Sequence, residues 1–238
     1  MRILGIDSST PGCSVALLNN DTIVAEQVAD PRPSYSKYLL QMVDQVLKEG
    51  KSRLDDVDGF AVTIGPGSFT GLRIGVSLLK GFVLATEKPF VGINSLEALA
   101  RTLDTPMHPI CTVLDARKSE VYAAVFKSQK DGLHPLIIEN ALSPESLCEK
   151  IEAPTLFAGS GVERYREIFK ESLGARFMEP ETPPKFSTAA GAAMLASRQF
   201  DHQKQFDLNQ LKINYIRKSE AELSLGGSLA ERRSNHGN

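Results

Sequence analysis

Apolar positions along this chain alternate with a period of two in some stretches and near 3.6 in others, and the switches between the periods mark out most of the elements. Arg2 to Asp7, Cys13 to Leu18 and Thr22 to Val28 are short β-branched or alternating runs. They are separated by Ser-Ser-Thr-Pro-Gly and Asn19-Asn20-Asp21, so they read as a three-stranded antiparallel meander. Ser36 to Glu49 then carries Leu39, Leu40, Met42, Val43, Val46 and Leu47 and stops at Gly50, which predicts a helix. Val57 to Ile64 reads as a buried strand, Gly65-Pro66-Gly67 as a turn and Thr70 to Thr86 as a helix. Phe90 to Ile93 follows as a strand and Ser95 to Leu103 as a further helix.

The same order starts again after Pro109. Strands are expected at Ile110 to Asp115, Glu120 to Lys127 and, more weakly, Leu136 to Glu139. A helix from Ser143 to Ile151 with Ser143 as its N-cap, a strand from Thr155 to Ala158 and a helix from Val162 to Leu173 complete the second unit. Thus βββαβα occurs twice, with Asp7 and Asp115 each ending a first strand before a hairpin. The fold class is α/β with two mixed-sheet lobes: residues 1–104, then 105–223 with a final segment that returns to the first lobe. Pro180 to Pro184 is a connector and Thr188 to Phe200 an Ala-rich helix. Residues 224–238, rich in Gly, Ser and charge, are expected to be a disordered tail.

Composition narrows the function. The 238 residues carry 27 Lys+Arg against 29 Asp+Glu, a net charge of −2, so the chain alone lacks the basic excess that phosphate neutralisation requires. Binding of nucleic acid by the chain on its own is disfavoured. Cys13, Cys111 and Cys148 form no CxxC pair, which points to a reducing compartment, read as cytoplasm. Asp7 follows too soon for a secretory leader, and the stretch from Ile74 to Ala85 is interrupted and short of a membrane span. No membrane crossing is expected.

Candidate chemistry is sparse. Asp7, Ser8, Ser9 and Thr10 offer a carboxylate, hydroxyls and turn amides that could hold a phosphate and hydrated Mg²⁺, against the plainer reading of a Ser/Pro/Gly turn. Gly65 to Gly75 leads from a strand into a helix N-terminus, but its GxGxxxG spacing matches neither a dinucleotide fingerprint nor a P-loop. The structural alternative makes Thr70 the helix cap and Gly71 with Gly75 a flat face for close packing. His108, His134, His202 and His236 have no metal-ligand spacing, and no nucleophile elbow selects a hydrolytic triad. Asp115, Arg117 and Glu120 cluster across the second hairpin and read first as a salt-bridged turn.

Gly5-Ile6-Asp7-Ser8-Ser9-Thr10, the segment from Gly65 to Ala85, Asp115-Ala116-Arg117 through Glu120-Val121-Tyr122, and Asn214-Tyr215-Ile216-Arg217 together resemble the TsaB (YeaZ) family. The resemblance implies the actin, sugar kinase and Hsp70 type of fold, with its duplicated ribonuclease H-like units. It further implies a part in making N6-threonylcarbamoyladenosine at position 37 of tRNAs. In the catalytic paralogue TsaD, two His of an Asn-His-x-x-x-His segment and an Asp of a Thr-Asp-Asn-Ala-Ala-Met segment bind a metal. The matching positions here are Asn94, Ser95 and Leu99, and Ala190, which cannot replace those ligands. Tyr35 stands where many members have His, and Asn214 where Pro commonly precedes Tyr215.

What the resemblance implies is a non-catalytic scaffold that binds and activates TsaD, pairs with itself, and helps recruit the ATPase TsaE. It has no catalytic residue, metal or cofactor of its own, with ATP or ADP binding at the complex or in the cleft left open. In this family the first two helices form a four-helix interface, for which Leu39, Met42, Val43, Val46, Gly71, Gly75 and Leu78 are the candidates. The rival is that these residues face their own sheet. Two other function classes stand beside the scaffold: a nucleotide-dependent phosphotransferase of the actin and sugar kinase type, and a protease.

Overall fold

The computed structural model describes residues 1–10, 12–29, 35–103, 107–200 and 206–216. In chain order the elements are β1 (Arg2–Asp7), β2 (Cys13–Asn19), β3 (Thr22–Ala29), α1 (Tyr35–Glu49), β4 (Gly59–Gly65), α2 (Phe69–Thr86), β5 (Phe90–Asn94) and α3 (Ser95–Arg101). The second half contains β6 (Ile110–Arg117), β7 (Glu120–Gln129), β8 (Gly132–Leu142), α4 (Pro144–Cys148), β9 (Thr155–Ala158), α5 (Ser160–Leu173), β10 (Phe177–Met178) and α6 (Thr188–Phe200).

The two sheets have one topology. The first is ordered β3-β2-β1-β4-β5 and the second β8-β7-β6-β9-β10, so each meander is extended by two parallel strands on the far side of its first strand. This is the duplication expected from the order of periods, and the α/β two-lobed fold follows from it. β8 is far longer than Leu136 to Glu139. Pro135 and two register shifts against β7 break its alternation, which hides it from a period-two search.

Each lobe's last helix crosses to the other lobe. α3 packs against β6, β7 and β8, where Leu96 and Ala100 join Ile110, Leu114, Tyr122 and Ala124. α6 packs on β1, β2, β4 and β5, where Ala192, Ala193 and Ala196 meet Ile3, Ala61 and Val91. The small side chains allow close approach: Gly191 lies against the Ala98 carbonyl and Gly5 against that of Ala189. Residues 188–200, expected in the second lobe, are therefore built onto the first sheet. So is the segment 206–216, whose Leu211 is buried in the first core.

α2, at 18 residues with mean hydropathy 1.3, is long and apolar enough by composition to cross a membrane, unlike the shorter stretch expected there. Its Val76, Leu79 and Val83 are instead buried in the first core, and Leu72 is buried as well. The three cysteines are free and buried. The expected disordered tail at 224–238, His202, His236 and the Tyr35 side chain fall outside the described residues.

Candidate functional site

The first hairpin is closed on itself. Asp7 ends β1 and is buried, and its Oδ1 accepts from the Ser9 amide (3.0 Å), the Ser9 hydroxyl (2.6 Å) and the Thr63 hydroxyl (2.7 Å). The Ser8 hydroxyl donates to the Gly71 carbonyl at 2.8 Å and that of Thr10 to the Gly12 carbonyl at 2.9 Å. Burial pushes the Asp7 carboxyl above its ordinary value, and the Ser9 and Thr63 hydrogen bonds oppose that rise. Every hydroxyl that could meet a phosphate thus has an internal acceptor. In this structure Asp7, Ser8, Ser9 and Thr10, the residues expected to hold a phosphate, brace a turn.

α2 is what closes it. Ser68, not Thr70, is the N-cap, its hydroxyl accepting from the Gly71 amide at 3.2 Å, and the Ser68 amide donates to the Ser9 carbonyl at 2.7 Å. A Cβ at Gly71 would overlap the Ser8 carbonyl oxygen, and one at Gly75 would overlap the Ser8 hydroxyl. Gly65, at φ +118°, makes the left-handed turn that brings the chain from β4 to this point. Gly71 and Gly75 are close-contact glycines as expected, but the surface they touch is the first hairpin. They are not available to a partner.

The interface candidates of α1 are turned inward as well. Leu39, Met42, Val43 and Val46 are all buried in the core of the first lobe with Leu4, Val15, Leu17, Phe60 and Leu79. The stripe satisfies its own sheet, as the ordinary logic of an amphipathic helix requires. Of the seven candidates for an interface, only Leu78 is half-buried and reaches the surface. The apolar groups the two helices do present are others. Leu40 and Tyr38 of α1 are 53% and 42% exposed, and Leu84 of α2 is 74% exposed. Ser77, Gly81 and Leu84 follow one another along one exposed stripe of α2, and nothing lies within 4 Å of a Cβ built on Gly81. The expectation missed this face because a buried and an exposed apolar residue look alike in a periodic pattern.

The positions matched to the paralogue's metal ligands are packed with structure. Asn94 caps α3, its Oδ1 accepting from the Leu96 and Glu97 amides at 2.9 and 3.1 Å. Ser95 is buried and accepts from the Gly65 amide at 3.2 Å, Leu99 is half-buried against the core of the second lobe, and Ala190 is wholly buried. Among the described residues no three His, Cys, Asp or Glu side chains come together. In the second hairpin the Asp115 carboxylate accepts from the Arg117 amide and pairs with Arg164 of α5, each at 2.9 Å. The cation paired with Asp115 is therefore Arg164 of α5, from outside the expected cluster of Asp115, Arg117 and Glu120.

The chain is thus a duplicated two-lobed α/β protein whose first hairpin is bonded within the fold and whose α2 leaves Leu84 exposed. The family model described as TsaD, tRNA N6-adenosine threonylcarbamoyltransferase, matches residues 23–225. The chain is 34% identical to the tRNA threonylcarbamoyladenosine biosynthesis protein TsaB of Escherichia coli over 72% of its own length and 77% of the relative's. To the TsaB of Bacillus subtilis it is 30% identical, covering 93% and 96% of the two chains. A crystal structure from Pseudomonas aeruginosa, described as an uncharacterized protein with similarity to peptidase YEAZ, superposes with TM-score 0.75 at 26% identity, covering 91% of this chain and 99% of that one. The chain belongs to the TsaD family and, within it, to the TsaB group.

Proposed function

We propose that this chain is a non-catalytic subunit of the system that forms N6-threonylcarbamoyladenosine in tRNA, and that it acts by docking the exposed face of α1 and α2 onto a TsaD paralogue or a second copy of itself. The observation that carries the reading is the exposed stripe Ser77, Gly81 and Leu84 of α2, with Leu78 beside it. A large exposed Leu next to an open Gly on an 18-residue helix suits close helix-to-helix packing, because the missing Cβ lets a partner backbone approach. The family name supplies the chemistry. The closed hairpin and the capped, packed start of α3 support a role in which reacting groups come from the partner. TsaE and tRNA are then met through the assembled complex, and nucleotide binding belongs there too.

Light scattering coupled to size exclusion, with and without the TsaD paralogue, tests this directly. Leu84→Asp is expected to weaken association at least tenfold and to lower threonylcarbamoyladenosine formation by the reconstituted system, with the melting curve of the isolated chain unchanged. Undiminished association of Leu84→Asp would remove α2 from the interface.

A further inference from the structure

The segment 206–216 has no helix or strand of its own, yet its contacts run from the first lobe to the second. It begins in the first core, where Phe206 meets Phe90 (5.9 Å) and Phe200 (5.6 Å), and Leu211 lies against Gly92. Leu208 and Ile213 pack on the same core. At Asn214 it reaches the junction of the lobes. The Asn214 amide donates to the Ile64 carbonyl of β4 at 2.7 Å, and the Asn214 carbonyl stands 2.5 Å from where a Cβ on Gly65 would be. The Asn214 side chain turns the other way, its Nδ2 donating to Glu139 Oε1 of β8 at 3.2 Å. Tyr215 then stacks on Phe69 at the start of α2 (4.7 Å, 11°), and its hydroxyl accepts from Arg73 Nε at 3.1 Å. Ile216 packs in the second lobe's core beside α3.

We infer that residues 206–216 are a clasp between the lobes, and that Asn214 is its positioning residue, holding β4 through its backbone and β8 through its side chain. In folds of this architecture the two lobes can close and open about a hinge. Here one residue is hydrogen-bonded to both sheets, and the aromatic stack that follows ties the same clasp to the first turn of α2. Lobe angle and the base of α2 are therefore mechanically joined. The bond to Glu139 is charge-assisted, as is that from Arg73 to Tyr215.

Hydrogen exchange on the full chain tests the clasp, together with electron-spin distance measurements between labels on Asp44→Cys and Glu152→Cys, both exposed and one in each lobe. Asn214→Ala removes the side-chain bond, and Glu139→Ala removes its acceptor. Each is expected to speed exchange on the order of tenfold in both 206–216 and β8 and to broaden the interlobe distance distribution, with β1 and β2 unchanged. Glu139→Gln, which keeps an acceptor oxygen, is expected to restore most of the protection. The double variant Asn214→Ala, Glu139→Ala is expected to exchange no faster than either single variant, because the two share one bond. If 206–216 frays while β8 and the distance distribution stay as they were, or if the two substitutions act additively, the clasp is overturned. Should either alanine variant fail to fold, Asn214→Ser shortens the side chain at the same place and is read by the same two measurements.

Discussion

Three glycines of α2 form a graded test of how this helix is seated. Substitution by Ala removes the same backbone freedom at each, a gain of up to about 1 kcal/mol in a helix interior. What opposes the gain differs. At Gly71 the new Cβ runs into the Ser8 carbonyl oxygen, with the carbonyl carbon at 3.1 Å, so backbone must move, at about 1–3 kcal/mol for overpacking. That motion would disturb the turn that presents the Ser9 amide and hydroxyl to Asp7. Gly71→Ala is expected to lose about 2 kcal/mol net. At Gly75 the Cβ meets the Ser8 hydroxyl, which can rotate away but then gives up its 2.8 Å bond to the Gly71 carbonyl. An orphaned buried hydroxyl costs about 1–3 kcal/mol, so Gly75→Ala should lose about 1 kcal/mol net. At Gly81 nothing opposes the gain, and Gly81→Ala should stabilise by up to about 1 kcal/mol. Equilibrium urea unfolding reads the series, with the denaturant slope required to stay constant and two protein concentrations used to separate self-association. If Gly71→Ala proves as stable as Gly81→Ala, α2 does not press on the first hairpin and the account of its closure fails.

Asp7→Ala leaves the Ser9 amide and the Ser9 and Thr63 hydroxyls without an acceptor, and is expected to lower stability by about 3 kcal/mol or more in thermal or urea unfolding, with ATP and Mg²⁺ making no difference; a silent substitution would return Asp7 to the surface. Val46→Glu places a charge at a fully buried site and should leave little folded protein by circular dichroism, whereas Leu84→Asp should stay within about 0.5 kcal/mol of the parent. Glu97 is held above its ordinary value of 4.5 by burial first and by the Glu139 charge second. A carboxyl raised in the folded state binds more protons there than in the unfolded chain, so its penalty grows as pH climbs from 4.5 through the folded value and is complete above it. Glu97→Gln should therefore melt higher than the parent at pH 7.5, and the gap should narrow as pH falls toward 4.5; a gap independent of pH would contradict this origin.

The order of strands and helices was legible because it is local. β1, the helix at Thr188–Phe200 and the strand at Thr155–Ala158 coincide with their expected bounds, each being a short run with one dominant period and clear stops. What touches what was not. Leu39 and Leu40 are neighbours in one apolar run, and only the direction of the sheet decides that the first is wholly buried and the second 53% exposed. Gly71 and Gly75 announce a close approach, but the approaching group, Ser8, lies more than sixty residues upstream. The exchange of α3 and α6 between the lobes leaves no mark on periodicity, since an apolar face is satisfied equally by either sheet. The final segment was expected to return to the first lobe, but the contacts of 206–216 were not legible because its residues follow neither a helical nor a strand period.

The same residues show how the first hairpin satisfies its polar groups from within the fold. An open phosphate hairpin keeps its amides and hydroxyls free for a ligand, and each such group left without a partner in the empty protein is a stability penalty. Here Gly71 and Gly75 let α2 come down onto the hairpin, so the hydroxyls of Ser8, Ser9 and Thr63 are all bonded within the fold. The helix that closes the site cannot turn the same face outward. Its buried side is committed to Leu72, Val76, Leu79 and Val83, and the residues left for a partner lie on the stripe through Ser77, Gly81 and Leu84. Closure of the hairpin and exposure of that stripe are thus two consequences of one helix position. A substitution that lifts α2 from Ser8 should weaken partner binding even though it touches no residue of the stripe. Gly71→Ala, compared with Gly81→Ala in the same association assay, is the pair that separates this coupling from simple contact loss: the first should weaken binding at a distance, the second only through the space it fills.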